Sequence, residues 1–268
     1  MSGANYLSAT QIRDAITSNT LTCEVVARDY LERIGSREAD IHAFAHVDPD
    51  QILKRAIELD GLRERGPLHG VPIGIKDVII TSDMPTEMGS PIFKDYRSLE
   101  DAGCVSTLRS AGAMIFGKTV TCEFAGPAPS ATVNPLDPTR TPGGSSSGSA
   151  AAIADFMLPV ALGTQTGGSV VRPAAYCGIV GFKPTFGMIS THGVKPAAAS
   201  LDTVGVMGRT VEDIELVFRV LTNAEPIVFD AQDEQVRVGL CRTNSWEAAE
   251  ECARSTVEDA ARQLKGLG

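Results

Sequence analysis

The sequence predicts an α/β fold, on two observations. Short apolar runs of strand length fall near residues 70–80, 113–116 and 176–182, the apolar run 150–162 holds one helix and one strand, and amphipathic stretches with helix-capping residues alternate with them. Strands that alternate with helices in this way build layered α/β folds. Composition points the same way: 268 residues that are 43% hydrophobic, 21% charged and 5% aromatic can bury a sizeable core. The formal net charge of -9, without a basic stripe or run, argues against nucleic acid or an anionic membrane as a partner. No apolar run approaches the ~20 residues of a spanning helix, and the start lacks a signal-peptide layout, so a cytoplasmic location is expected. The six cysteines show no C-x-x-C spacing and read as free, mostly buried thiols. With neither an internal repeat nor a dividing linker, residues 1–268 read as a single domain.

Ser8 with Gln11 forms a candidate capping box for a helix carrying Ile12 and Ile16, and a second helix is expected after Thr22, with Val25, Val26, Tyr30, Leu31 and Ile34. His42 and His46 could share a helix face, but Ala43 follows where a zinc protease motif needs Glu, and alternation around them suits a strand equally. A third helix is expected over 51–64, ended by Gly66 and Pro67. Residues 70–80 then read as a strand buried on both faces with Lys76 set inside it. A buried lysine is either salt-bridged, here with Asp77 as nearest candidate, or a base of lowered pKa; spacing leaves both open.

Residues 81–99 read as an irregular loop, 101–111 as a helix and 113–116 as a short buried strand. Residues 112–119, GAMIFGKT, match the G-x-x-x-x-G-K-[ST] phosphate-loop pattern. That mechanism needs a flexible loop in the middle of the motif, where this chain has a strand. Further on, 176–182 reads as buried, Thr210 with Asp213 as a capping box, 236–240 as a strand and 246–265 as a helix.

The candidate active site is a pair of Gly/Ser tracts, GGSSSGSA at 143–150 and GTQTGGS at 163–169, separated by an apolar run with Ile153, Phe156, Met157, Leu158, Val160 and Leu162. A flexible linker has no such core, so these glycines are ordered, which calls for positive φ or close backbone approach. Rows of exposed amides in such turns suit an oxyanion. The first tract also fits G-x-S-x-G centred on Ser146, which requires a later histidine; His192 is the sole candidate and lacks an evident orienting acid. A serine–lysine mechanism needs no histidine.

These tracts, with CGIVGFKPT at 177–185, GIKD at 74–77, GKT at 117–119 and LDTVG at 201–205, together resemble the amidase signature family. The resemblance implies one large mixed β-sheet flanked by helices and a Ser–cis-Ser–Lys triad: Ser169 as nucleophile, Ser145 as bridge and Lys76 as base. It also implies an oxyanion hole from the amides of Thr166, Gly167, Gly168 and Ser169, and amide cleavage through an acyl-enzyme without metal or cofactor. Within the family, residues 84–90, the triple serine and 168–174 are closest to malonamidase, where the arginine matching Arg172 binds the substrate carboxylate. Arg172 in a structural salt bridge is the plainer reading.

The leading expectation is therefore hydrolysis of a small, malonamate-like amide. The alternatives are the amidase subunit of a tRNA-dependent amidotransferase, and a catalytically silent binding or dimerisation fragment. Expected partners are a small-molecule amide and, as an open option, a second copy of the chain. Family members are much longer, and Gly266 reads as a helix cap before a further strand, so the fold is expected to lack its C-terminal portion.

Overall fold

In the computed structural model, which describes residues 3–225 and 237–266, the apolar runs become six strands of one sheet. They are β1 (Phe44–His46), β2 (Pro72–Lys76), β3 (Met114–Thr119), β4 (Val160–Gln165), β5 (Val180–Phe182) and β6 (Thr203–Gly208). Their order is β1-β3-β2-β4-β6-β5. The inner pairs β3/β2 and β2/β4 are parallel, while β1, β6 and β5 join antiparallel, giving a mixed sheet. Every residue of β2, β3, β4 and β6 is buried, as expected of strands covered on both faces.

Chain contacts divide the protein into two units, Met1–Glu225 and Pro226–Gly268. The first carries the sheet and α1 (Ala9–Thr17), α2 (Cys23–Ile41), α3 (Pro49–Asp60), α4 (Gly103–Ser110), α5 (Ser147–Ala154), α6 (Val171–Tyr176) and α7 (Val211–Thr222). The second carries a short 3-10 turn, Trp246–Ala248, and α8 (Glu251–Gly266). No helix among the described residues is long and apolar enough to cross a membrane.

The capping residues act locally as their sequence implies. Ser8 and Gln11 close a reciprocal box on α1, and Thr22 accepts the amide of Val25 at the start of α2. Thr210 likewise accepts the amide of Asp213, but the Asp213 carboxylate is not the return half of a box. It accepts instead from the backbone N–H and hydroxyl of Thr10, at 2.9 and 3.1 Å, and pins α7 to α1.

Three expectations are corrected, and one alternative is decided. The third helix ends at Asp60, because Gly61 and the segment to Pro67 turn away. His42 caps α2 in the left-handed region and His46 ends β1, so of the two readings left open for this pair the strand is the one formed. Tyr176 is exposed at the end of α6, and β5 is only half-buried because it pairs with β6 alone at the sheet edge. Of the strand expected over 236–240, Val236 lies outside the described residues and 237–240 form no strand.

The phosphate-loop pattern is occupied by β3 itself. Lys118 is fully buried, with its ammonium 3.0 Å from Asp77 and 2.5 Å from the Thr86 hydroxyl. It therefore cannot reach a phosphate.

Helix α5 lies on the sheet, and its opening residues are small because it comes so close. A Cβ on Gly148 would stand 2.2 Å from the Ala43 carbonyl oxygen and 2.4 Å from the Val120 nitrogen, both backbone atoms with nowhere to go. Gly148→Ala is expected to lower stability by about 2–3 kcal/mol, the scale of an overpacked core, read as a fall in the urea midpoint at unchanged m-value. A midpoint within error of the parent would mean that α5 is not held this tightly.

Candidate active site

Parallel strands β2 and β4 are neighbours, so the residues at their C-terminal ends come together, where ligands bind in open α/β sheets. Lys76 closes β2, and Thr164 and Gln165 close β4. The tract at 143–147 crosses the same end. Gly143 takes a φ of +77°, the left-handed region that favours glycine, and the Gly144–Ser145 peptide is cis.

Lys76 Nζ lies 2.7 Å from Ser145 Oγ and 2.8 Å from Thr164 Oγ1, and the side chain is fully buried. Among the described residues no carboxylate pairs with it, because Asp77 is turned to Lys118. The question that spacing left open is thus answered by direction. Burial lowers Lys76 from its ordinary 10.5 to about 7, against weak opposing contributions from Cys122 and Asp202. A neutral amine is therefore available near neutral pH.

Ser169 lines one cleft with Ser145, Thr164, Thr166, Lys195 and Asp202. Its carbonyl accepts the Ser146 amide at 3.3 Å, which ties the two Gly/Ser tracts together. Among the described residues the amides of Thr166, Gly167, Gly168 and Ser169 have no acceptor.

Two side chains that sequence reading passed over hold this loop. Gln165 Oε1 accepts the amides of Val170 and Val171 at 2.8 and 3.0 Å, and its Nε2 donates to the Gly167 carbonyl at 2.9 Å. Asp202 accepts the Thr166 hydroxyl on one oxygen and the amides of Ala197 and Ala198 on the other. Both lie inside the recognised motifs, but only folding shows what they touch.

The other serine route is not built. Ser146 is fully buried, and its hydroxyl accepts the Thr164 amide at 3.3 Å. His192 is a surface side chain, 68% exposed, whose nearest acid is Glu100 at 3.6 Å. No nucleophile elbow operates with those partners.

Arg172, in the first turn of α6, donates from Nε and one terminal nitrogen to the Gly144 carbonyl at 3.1 and 2.6 Å. It makes no ion pair among the described residues, and it lines a neighbouring cavity with Cys122, Gly143, Gly144 and Tyr176. Lys76, Ser145, Ser169 and Thr166 thus converge, and Arg172 stands behind the Gly144–Ser145 peptide.

Gly167 and Gly168 depart from the expected reasons for ordered glycine. Neither has positive φ; a Cβ on Gly167 would meet nothing within 4 Å, and one on Gly168 only the Arg172 Cβ at 3.7 Å. Folding does not require glycine at 167, and what its absent side chain leaves free is the approach to the unpaired amides. Gly167→Ala is expected to keep its urea midpoint within about 0.5 kcal/mol, as surface changes do, while labelling of Ser169 by an acylating probe slows.

The charge state of Lys76 is testable through stability. The unfolded lysine titrates near 10.5 and the folded one near 7, so between those values the unfolded chain holds the extra proton. Stability from this group rises with pH across that window and is lost as pH falls toward 7. Urea denaturation at pH 7, 8 and 9 is expected to show the parent gaining on Lys76→Met by up to about 1.4 kcal/mol per pH unit. A constant difference would mean that Lys76 stays charged in the fold.

Residues 25–268 match the family model described as Amidase. The chain is 42% identical to the A-type subunit of the glutamyl-tRNA(Gln) amidotransferase of Symbiobacterium thermophilum, over 98% of this chain and 59% of that protein. Among solved structures it resembles the native peptide amidase of Stenotrophomonas maltophilia, with a TM-score of 0.77 and 36% identity over 82% of this chain and 50% of that one. It also resembles the A-type subunit of the glutamyl-tRNA(Gln) amidotransferase of Thermotoga maritima, with a TM-score of 0.71 and 34% identity over 81% and 47%. The chain spans about half to three fifths of the length of these relatives. With a family match that covers most of its length, this chain belongs to the amidase family.

Proposed function

We propose that this chain carries the amide-cleaving centre of an amidotransferase A-type subunit, and that the observation carrying this is the buried Lys76 amine 2.7 Å from Ser145 in a cleft shared with Ser169. In this reading Ser169 Oγ attacks the carbonyl carbon of a carboxamide. Its proton passes to Ser145, whose own proton goes to the neutral Lys76 amine. The oxyanion faces the unpaired amides of residues 166–169. Collapse expels ammonia, which takes the proton back by the same route, and attack on the acyl-enzyme by water frees Ser169. General-base transfer contributes typically about 10²–10⁴ in rate and each oxyanion donor about 10²–10³. Every step uses side chains and amides of this chain.

The amidotransferase assignment rests on the relatives named as amidotransferase subunits, and a protein partner follows from that word. Independent hydrolysis of a small, malonamate-like amide is the second reading, supported by the amidase relatives and by Arg172 beside the site. The direction of the Arg172 guanidinium supports a role in holding the Gly144 carbonyl more than one in gripping a substrate. Lys76 bonded to Ser145 in a cleft that Ser169 also lines supports an active centre over a silent fragment.

Reaction with a small fluorophosphonate followed by peptide mapping tests the centre. The adduct is expected on Ser169, at least a hundredfold slower in Lys76→Ala, with a rate that climbs with pH and levels off above about 7. An adduct on Ser146 overturns the assignment. Ammonia release from malonamate by the chain alone would favour the second reading over the first.

A further inference from the structure

One cation in the catalytic cleft has no use in the steps above. Lys195 lines the cleft with Ser145, Ser169 and Thr166. Its backbone is fixed there: Lys195 N donates to the Val78 carbonyl at 2.8 Å, Ile80 N donates to the Gly193 carbonyl at 3.0 Å, and Ile79 bridges Val194. The segment 193–195 is thus laid antiparallel on the residues that directly follow Lys76. Its placement relative to the base is set by main-chain bonds.

The side chain, in contrast, is weakly engaged. Nζ donates to the carbonyl of the adjacent Pro196 at 3.0 Å and stands 5.2 Å from the centre of the Phe124 ring. Among the described residues it makes no ion pair. The carboxylate that shares the cleft, Asp202, is already occupied on both oxygens by Thr166, Ala197 and Ala198. The other two cations nearby are committed: Lys76 sits buried behind Ser145 and is half neutral near pH 7, and Arg172 is turned to Gly144 in the adjoining cavity. In a chain of net charge -9, whose bulk field repels anions, an uncommitted ammonium at this position is a local attractor for one.

We propose that Lys195 is an anion subsite at the catalytic cleft, taking the carboxylate of a carboxamide substrate and so turning its amide carbonyl toward Ser169. The inference rests on the amide-cleaving reading and adds to it the class of substrate and the group that recognises it. Cation–π contact with Phe124 uses none of the ammonium donors, and with one given to the Pro196 carbonyl two remain for a carboxylate.

The test is protection of Ser169 from fluorophosphonate at pH 8 by matched competitors: malonate against malonamide, and glutarate against glutaramide. Within each pair the chain length is fixed while carboxylates replace carboxamides, so the change in the ratio of half-protecting concentrations between the parent and the Lys195 variants reports the anion subsite separately from the chemistry at Ser169. In the parent chain the dicarboxylate is expected to protect better in at least one pair. In Lys195→Met that preference falls by about tenfold or more, the scale of a charge-assisted hydrogen bond, and Lys195→Arg restores most of it. Equal protection by both members of both pairs in the parent overturns the proposal, as does a preference that survives in Lys195→Met. A preference lost in Arg172→Met but kept in Lys195→Met assigns the carboxylate to Arg172 and also overturns it. Failure of the parent to label at Ser169 at all overturns the amide-cleaving reading, and the subsite with it.

Discussion

The desolvation of a single ammonium group sets the terms for this site. Two lysines end up side by side in the sheet, since Ile75 pairs with Lys118 and Lys76 with Thr119 across β2 and β3. Both are fully buried, and burial pushes both downward from the ordinary lysine value. At Lys118 the Asp77 carboxylate works against that push and holds an ion pair. At Lys76 the neighbours are the hydroxyls of Ser145 and Thr164, which accept from an ammonium but do not neutralise it. The cheaper state of a buried, unpaired lysine is the neutral amine, which is a base. One carboxylate, aimed at one lysine and not at the other, separates a structural pair from a candidate catalytic group.

Keeping Ser145 against that amine depends on how closely the following helix can approach. Helix α5 begins Ser147, Gly148, Ser149, and every residue in the run to Ile153 is buried. Gly148 permits backbone contact with Ala43 and Val120, and Ser149 bonds to Thr119 at 2.7 Å and to the Leu162 carbonyl at 3.0 Å. The three consecutive serines do three different things. Ser145 meets Lys76, Ser146 struts the tract against Thr164, and Ser147 bonds Ser130 at 2.7 Å. Arg172 steadies the same tract from the other side through the Gly144 carbonyl.

The loop 166–169 is held in a complementary way. Gln165 straps its carbonyl side and the first turn of α6, and Asp202 holds Thr166, while the amides between them have no acceptor among the described residues. A loop that spent those amides on its own backbone could not stabilise an oxyanion, and one without the two straps would lose its orientation before reaction. Two side chains, Gln165 and Asp202, thus hold the groups on either side of these amides, while the amides themselves have no acceptor among the described residues.

The sequence by itself determined the alternation of strands and helices, most helix starts and the family, because these rest on local residue type and order. Caps such as Ser8 and Thr22 act within four residues, and the apolar runs of β2, β3 and β4 have nowhere to go but a covered sheet. What it could not determine was direction between distant segments. Asp77 follows Lys76 in the chain, yet it lies in the turn after β2 and its carboxylate meets Lys118 instead. Asp213 sits where a capping box would use it, yet reaches Thr10 more than two hundred positions away. Gly148 and Gly167 look alike in the sequence; one is pressed against two backbones and the other faces open space. Only the tertiary structure decided these, since burial, ion pairing and free space belong to the neighbours that packing supplies rather than to the residues themselves.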